Sequence, residues 1–512
     1  MRAVAASSAL APRLALITFG VMLATIMQAL DTTIANVALP HMQGSFAASQ
    51  DQIAWVLTSY IVAAAIMTPP TGWISNRFGR KRYFLFSVAG FTIASALCGL
   101  ATSLTGMVIF RLLQGVFGAA LVPLSQATLL DAYPRERHGP AMAIWGMGIM
   151  VGPILGPTLG GWLTEHYSWR WVFYINLPIG ILAFLIVSAS VQETVKRRGL
   201  NFDFFGFALI SLTLGALQMF LDRGEQKDWF GSTEIIVEAV LAGLFLYMFV
   251  VHSLTAKNPF INPQVFTDRN LTVSMFFMAA VGAVLYGSTA LTPPFLQNLL
   301  NYPVVTTGLV MGPRGIGTMF AMMIVGRTIN RVDVRLMLTF GFGLLAYSLW
   351  WMVGFSLNVP IWEIVVSGLL QGFGLGFVFV PMTTIAFSTL RPELRNEGTG
   401  IYNLMRNIGA SAGISALTAL LIQNIQVNHS SLAAHVTPFN RALQDPALHS
   451  FWNLHSASGL AALNAEVGRQ AAMIAYIDDF KALMLLTLAM LPLIWLLSPA
   501  RKAPGLKPVP VD

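Results

Sequence analysis

Residues 14–38 read LALITFGVMLATIMQALDTTIANVA, an apolar run interrupted by a single charge, Asp31. As an α-helix rising 1.5 Å per residue, a run of this length exceeds the roughly 30 Å hydrocarbon core of a bilayer. Comparable runs follow near 53–74, 83–101, 107–130, 141–163, 171–191, 204–221, 233–252, 271–293, 306–326, 336–355, 362–388, 401–424 and 480–497, giving fourteen expected spans. All read as helices. Inside lipid every backbone N–H and C=O needs an internal partner, and the runs lack the apolar/polar alternation of a membrane β-strand.

Composition agrees. Of 512 residues 55% are hydrophobic and 10% charged, against about a quarter charged in soluble domains. This excludes a disordered chain and a nucleic-acid-binding protein, and it argues against a soluble enzyme. The one cysteine, Cys98, lies inside an apolar run, so no intrachain disulfide is expected. The run from Leu14 is too long for a cleavable signal and has no small-residue cleavage site after it.

Basic residues set the expected orientation. With both termini cytoplasmic, 21 of the 30 Lys and Arg fall in inner segments, among them Arg77, Arg80, Lys81, Arg82, Arg327, Arg331 and Arg335. Six fall outside, and Arg111, Arg314 and Arg406 lie within spans. This asymmetry is the positive-inside pattern. It also accounts for the net charge of +8, so no nucleic acid is expected as a partner.

The chain repeats itself. Gly72-x3-Asn76-Arg77 recurs at Gly326, Asn330 and Arg331; Leu112-Leu113-Gln114-Gly115 at Leu369-Leu370-Gln371-Gly372; Pro134-x2-Arg137 at Pro392 and Arg395; Gly152-x3-Gly156 at Gly409 and Gly413. The near-constant offset pairs spans 1–6 with spans 9–14. The expected fold is therefore all-α: two six-helix bundles plus two inserted helices, with the substrate path between the bundles. The expected divisions are a first bundle at 1–200, the inserted pair at 201–255, spans 9–13 at 256–425, an outer segment at 426–479, and span 14 with a cytoplasmic tail at 480–512. The outer segment is polar and too long for a simple turn. Its part from Asn464 to Asp478 reads as helix, either a partner-binding hairpin or a passive cap. His429, His435, His449 and His455 within it match no metal-ligand spacing.

Asp31 is the most informative residue. It sits roughly 6 Å outward of the midplane of the first span. A carboxyl there costs about 2.5–3.5 kcal/mol on insertion scales and is functional by default. Arg111 of span 4 lies at a similar depth and is the expected partner. Protonating Asp31 removes that partner's counter-charge and so biases the conformation. Gln28, Asp31, Gln114, Trp145, Arg314 and Arg406 are the side chains expected along the substrate path; Arg406, near the inner end of span 13, also reads as a residue that snorkels to the surface. In span 5, Gly148, Gly152, Gly156 and Gly160 make one smooth face for another helix. Pro153 and Pro157 allow a bend, and Gly161 closes the run. The turn Gly72-Trp-Ile-Ser-Asn76-Arg77-Phe-Gly79-Arg80 is expected to latch onto carboxylates or helix C-termini of the other bundle. No phosphate-cradling or hydrolase motif occurs, so neither cofactor nor metal is expected.

These motifs resemble a known family. Leu30 to Pro40 resembles the first-span motif of the fourteen-span drug:proton antiporters of the major facilitator superfamily. The turn from Gly72 resembles the superfamily's gating motif, with Asn76 where Asp is usual. Arg111-x2-Gln114-Gly115 resembles the span-4 motif tied to proton transfer, and Gly152-Pro153-x2-Gly156-Pro157-x2-Gly160-Gly161 the antiporter motif. Trp169 to Pro178 and Leu221 to Trp229 resemble signatures of the EmrB/QacA subgroup, and the long outer segment, with Thr437-Pro438-Phe439-Asn440, most resembles its EmrB-type members. The resemblance implies a multi-pass protein of the bacterial inner membrane that exports hydrophobic drugs by alternating access, driven by the proton gradient, with a periplasmic membrane-fusion adaptor and an outer-membrane channel. An exporter of one endogenous metabolite such as a siderophore, and a proton-coupled importer of the same fold, remain as alternatives.

Overall fold

Helix boundaries follow local chemistry. The computed structural model describes residues 2–134, 137–194, 202–391, 394–437, 452 and 456–498. The His449, His455 and Pro438–Asn440 readings, Pro392 and the cytoplasmic tail lie outside them. The helices are α1 (Arg2–Phe46), α2 (Gln50–Met67), α3 (Thr71–Phe78), α4 (Arg80–Leu100), α5 (Leu104–Gly118), α6 (Leu121–Ala132), α7 (His138–His166), α8 (Trp171–Tyr174), α9 (Asn176–Ser190), α10 (Phe204–Arg223), α11 (Thr233–Thr255), α12 (Arg269–Pro294), α13 (Val304–Thr328), α14 (Val334–Val353), α15 (Ile361–Ala386), α16 (Arg395–Ala434) and α17 (Ala457–Leu493). Thirteen described segments are long and apolar enough to cross a membrane, and a shorter apolar stretch, Trp55–Met67, lies in α2.

Three expected spans are each two helices. Span 2 breaks between α2 and α3 at Pro69-Pro70, span 4 between α5 and α6 just before Pro123, and span 6 between α8 and α9 just before Pro178. Each proline lacks the N–H that would bond the carbonyl four residues earlier. Helix starts are capped. Ser49 and Gln52 form a reciprocal capping box on α2. Asp203, Asp268 and Asp333 each accept a backbone N–H at the start of α10, α12 and α14, where the helix dipole favours negative charge.

The repeat is visible in packing. α1 packs on α7 as α12 does on α16, α2 on α5 as α13 on α15, and α4 on α5 as α14 on α15. A Cβ at Gly115 would meet the carbonyl of Tyr60 on α2, and one at Gly372 would meet the carbonyl of Arg314 on α13. Likewise Gly152 lies on Ala29, and Gly409 on Ala279. The two bundles meet most extensively along α7 and α13. The inserted α10 packs on α2 of one bundle and α16 of the other: Gln218 Nε2 donates to Ser411 Oγ at 2.8 Å, and Ser415 Oγ donates to the Leu221 carbonyl. α11 turns Val240, Leu244, Tyr247 and Leu254 outward, as a lipid-facing helix must.

The last two spans were expected at 401–424 and 480–497. Instead α16 has 40 residues and α17 has 37, about 60 and 55 Å of helix. They run side by side past the membrane thickness, with His429 Nε2 3.0 Å from Asn464 Oδ1. Much of the expected outer segment is thus a continuation of two membrane helices, and the helix expected from Asn464 begins at Ala457.

Candidate functional site

Asp31 is completely buried, and three side chains from two other helices, α5 and α9, donate to its carboxylate. Arg111 Nη1 reaches Oδ2 at 2.7 Å; Gln114 Nε2 and Asn176 Nδ2 reach Oδ1 at 2.8 and 2.9 Å. Arg111 is held in turn. Its Nε donates to the Val56 carbonyl at 3.0 Å, Nη1 also donates to Gln114 Oε1 at 2.6 Å, and the guanidinium lies 4.4 Å over the Tyr60 ring. Asn176 further donates to Ser95 Oγ, which donates to the Phe173 carbonyl. Asp31, Gln114, Asn176 and Ser95 are each 0% exposed and Arg111 1%. A carboxylate without its ion-pair partner at such a place would be strongly unfavourable. Arg111, Gln114 and Asn176 between them give both oxygens of this buried carboxylate a donor. Asn176 and Ser95 were not picked out as site residues. Asn176 stands inside the quoted Trp169–Pro178 stretch, and an amide in an apolar run was the available signal.

The other expected path residues divide. Gln114 belongs to the Asp31 cluster. Trp145 is 0% exposed; its Nε1 donates to Thr25 Oγ1 at 3.3 Å and its ring stacks on Phe379 of the second bundle at 6.1 Å. It is an inter-bundle packing residue in this state. Gln28 and Arg406 line a cavity of about 30 Å³ between the bundles, with Ala64, Thr68, Asn403 and Asn407. That holds about two waters; admitting a drug requires the bundles to separate. Arg406 therefore does not snorkel: it is 7% exposed and faces the partner bundle. Arg314 takes the repeat position of Tyr60 and donates to Ser288 Oγ, Thr289 Oγ1 and the Leu285 carbonyl at 2.8, 3.1 and 3.2 Å.

The glycine run of α7 is seated on α1. Cβ atoms at Gly148, Gly152, Gly156 and Gly160 would strike Met22, Ala29, Thr33 and Ile34, and Thr33 Oγ1 donates to the Gly152 carbonyl at 3.0 Å. Gly161 has no neighbour within 4 Å of such a position and stands off the stripe. α7 continues as helix through Pro153 and Pro157. Its opposite side, at Gly139, Gly146 and Ile154, meets α13. One helix thus touches both the helix carrying Asp31 and the second bundle.

At the face carrying the basic turn, Arg80, expected from the sequence to latch onto the other bundle, meets a carboxylate of its own. It is buried and pairs with Asp131 of its own bundle at 2.5 Å, while Arg395 of α16 takes the other oxygen of Asp131 at 3.1 Å. Asn403 Nδ2 crosses to Gln126 Oε1 at 2.6 Å, and Gly72 allows the backbone of Glu397 to lie against α3. Gly79, at φ +98°, makes the turn that only glycine adopts without strain. After it the N–H groups of Lys81 and Arg82 bond Glu193. Arg77 is exposed and Asn76 half-buried.

Comparison with known proteins follows this geometry. Residues 21–414 match the family model described as Major Facilitator Superfamily. The chain is 36% identical to the fatty acid resistance protein FarB of Neisseria gonorrhoeae, over 95% of this chain and 96% of that one. It is 37% identical to the multidrug export protein EmrB of Haemophilus influenzae, over 88% and 87%, and 34% identical to EmrB of Escherichia coli, over 96% and 97%. Among solved structures, the proton:xylose symporter XylE (TM-score 0.59, 13% identity, 94% and 96% covered) and the human organic anion transporter MFSD10 (0.58, 14%, 93% and 98%) share the fold. These relatives mark the chain as a multi-span efflux transporter and not an enzyme. The chain belongs to the major facilitator superfamily.

Proposed function

We propose that this chain is a proton-driven exporter of hydrophobic compounds in the inner membrane, with the basic face and both termini cytoplasmic. The observation that carries this reading is Asp31, fully buried yet held by Arg111, Gln114 and Asn176. In the proposed cycle Asp31 takes a proton from outside, frees Arg111, and gives the proton up inside as substrate moves outward. The contact of α1 with α7, and of α7 with α13, supports a mechanical link from that carboxyl to the seam between the bundles. The names of the relatives, for multidrug export and fatty acid resistance, support hydrophobic substrates. One proton crossing about 150 mV supplies roughly 3.5 kcal/mol, enough for about a 300-fold gradient of a neutral substrate.

The finer assignments belong to the same proposal. Gln28, Arg314 and Arg406 stand on the substrate path. Gly72, Gly79 and Arg80 shape the cytoplasmic gate, and the bundles divide near residues 200 and 255. The extended α16–α17 pair is the dock for a periplasmic adaptor, which passes substrate to an outer-membrane channel. The deciding experiment is Asp31→Asn in proteoliposomes. Substrate-linked proton movement is expected to vanish while the folded yield is retained; normal exchange in that variant removes Asp31 from the mechanism.

A further inference from the structure

Three arginines lie inside the spans, and their surroundings differ. Arg111 has its carboxylate. Arg314 has two hydroxyls and a carbonyl. Arg406, 7% exposed, has one long bond from Nη2 to Asn407 Oδ1 at 3.4 Å, and its buried Nε has no hydrogen-bond partner. Among the described residues Arg406 forms no ion pair. A guanidinium carries five donors in a rigid fork, and leaving them unmet away from water is unfavourable.

The cavity that Arg406 lines is polar without being acidic. Gln28 and Thr68 face it from the first bundle, Asn403 and Asn407 from the second, and among the described residues no carboxylate borders it. Beside it, Asn403 Oδ1 and Gln126 Nε2 are also buried without partners. Small apolar residues, Ala64, Gly118, Ala119 and Val122, complete the wall. Two waters would fill the space as it stands, but they supply no charge. A carboxylate does: it accepts two parallel N–H bonds from the fork and neutralises it.

We propose that the cavity at Arg406 recognises the head group of amphipathic carboxylates, with their apolar part along the seam between the bundles. This rests on the exporter reading and names its substrate class. Long-chain acids and aromatic acids share that head group. Carboxylate leaving as a proton enters moves two charges per cycle in the direction an inside-negative potential favours.

The test uses the full chain in nanodiscs, without any gradient. Binding of dodecanoate, dodecyltrimethylammonium and 1-dodecanol is titrated calorimetrically, with empty nanodiscs subtracted. Dodecanoate is expected to bind at least about tenfold tighter than either control of the same chain length. Arg406→Gln is expected to collapse that ratio, and Arg406→Lys to keep part of it. Equal affinities, preference for the ammonium, or an unchanged ratio in Arg406→Gln overturns the proposal. Should Arg406→Gln not fold, a photoreactive diazirine analogue of dodecanoate on the unmodified protein decides: crosslinks within 403–407 support the site, and crosslinks confined to other helices overturn it. 1-Naphthoate separates the sources, since comparable binding assigns recognition to the head group alone and much weaker binding assigns it to long-chain acids. Failure of the exporter reading is seen separately, as wild-type proteoliposomes that move no substrate against an imposed gradient while the binding ratio stands.

Discussion

Asp131 Oδ1 lies 3.1 Å from Arg395 Nη1, an ion pair that ties the first bundle to the second. The other oxygen of Asp131 is held by Arg80 at 2.5 Å. One carboxylate is thus fixed by its own bundle and gripped by the other.

Breaking that clasp favours the state open on the basic face. Asp131 is partly exposed, so the pair contributes about 0.2–1 kcal/mol, and Arg395→Gln is expected to raise the open population by roughly 1.4- to fivefold. Maleimide labelling of Asn403→Cys, in a Cys98→Ser background, measures this. Labelling that is unchanged by Arg395→Gln would show that the pair does not hold the gate.

Asn176 donates to Asp31 Oδ1 at 2.9 Å and so helps to hold the buried carboxylate. Asn176→Leu removes that donor, and substrate-linked proton movement in proteoliposomes is expected to slow by about tenfold. A change in folded yield with an unaltered rate would make Asn176 purely structural.

Close approach of α7 to α1 depends on the missing side chains. A Cβ at Gly152 would lie 2.5 Å from the Ala29 carbonyl, whereas one at Gly161 meets nothing within 4 Å. Gly152→Ala is expected to destabilise the protein by about 1–3 kcal/mol through overpacking, and Gly161→Ala to change little. Thermal unfolding in detergent compares them; equal midpoints would mean that the interface yields freely.

Asp203 caps α10. Burial alone opposes its charge, but bonds from the Gly206 N–H, His252 and the Phe260 N–H outweigh this and hold its carboxyl below the ordinary value. Its contribution to stability is therefore complete above the unfolded pKa near about 4 and is lost as pH falls through the lower folded value. Asp203→Ala should flatten the acid limb of a stability–pH curve; a parallel curve for that variant would argue against the assignment.

The outer ends of α16 and α17, unlike the inner part of α16 that carries Arg406, are expected to be separable from the transport path. Deleting residues 428–475 should spare substrate-linked proton movement in vesicles yet abolish resistance in intact cells. Cells that stay resistant would show that the segment is not an adaptor dock.

The sequence alone determined that the chain spans a membrane many times, that its halves repeat, and that Asp31 and Arg111 stand at one depth. These are one-dimensional properties. Lipid demands long apolar runs, and a charge within such a run is conspicuous whatever surrounds it. Tertiary structure decided which way each helix faces. A soluble helix reveals its buried face by its polar one, but in a bilayer the lipid tails are as apolar as the protein interior, so the pattern carries no azimuth. Hence Asn176, 145 positions from Asp31 in sequence, joins the carboxylate only once α9 is docked. Trp145 turns to Phe379 and away from the cavity, Arg406 turns into it, and Asp131, an ordinary acid at a helix end, becomes one of the ties between the two bundles.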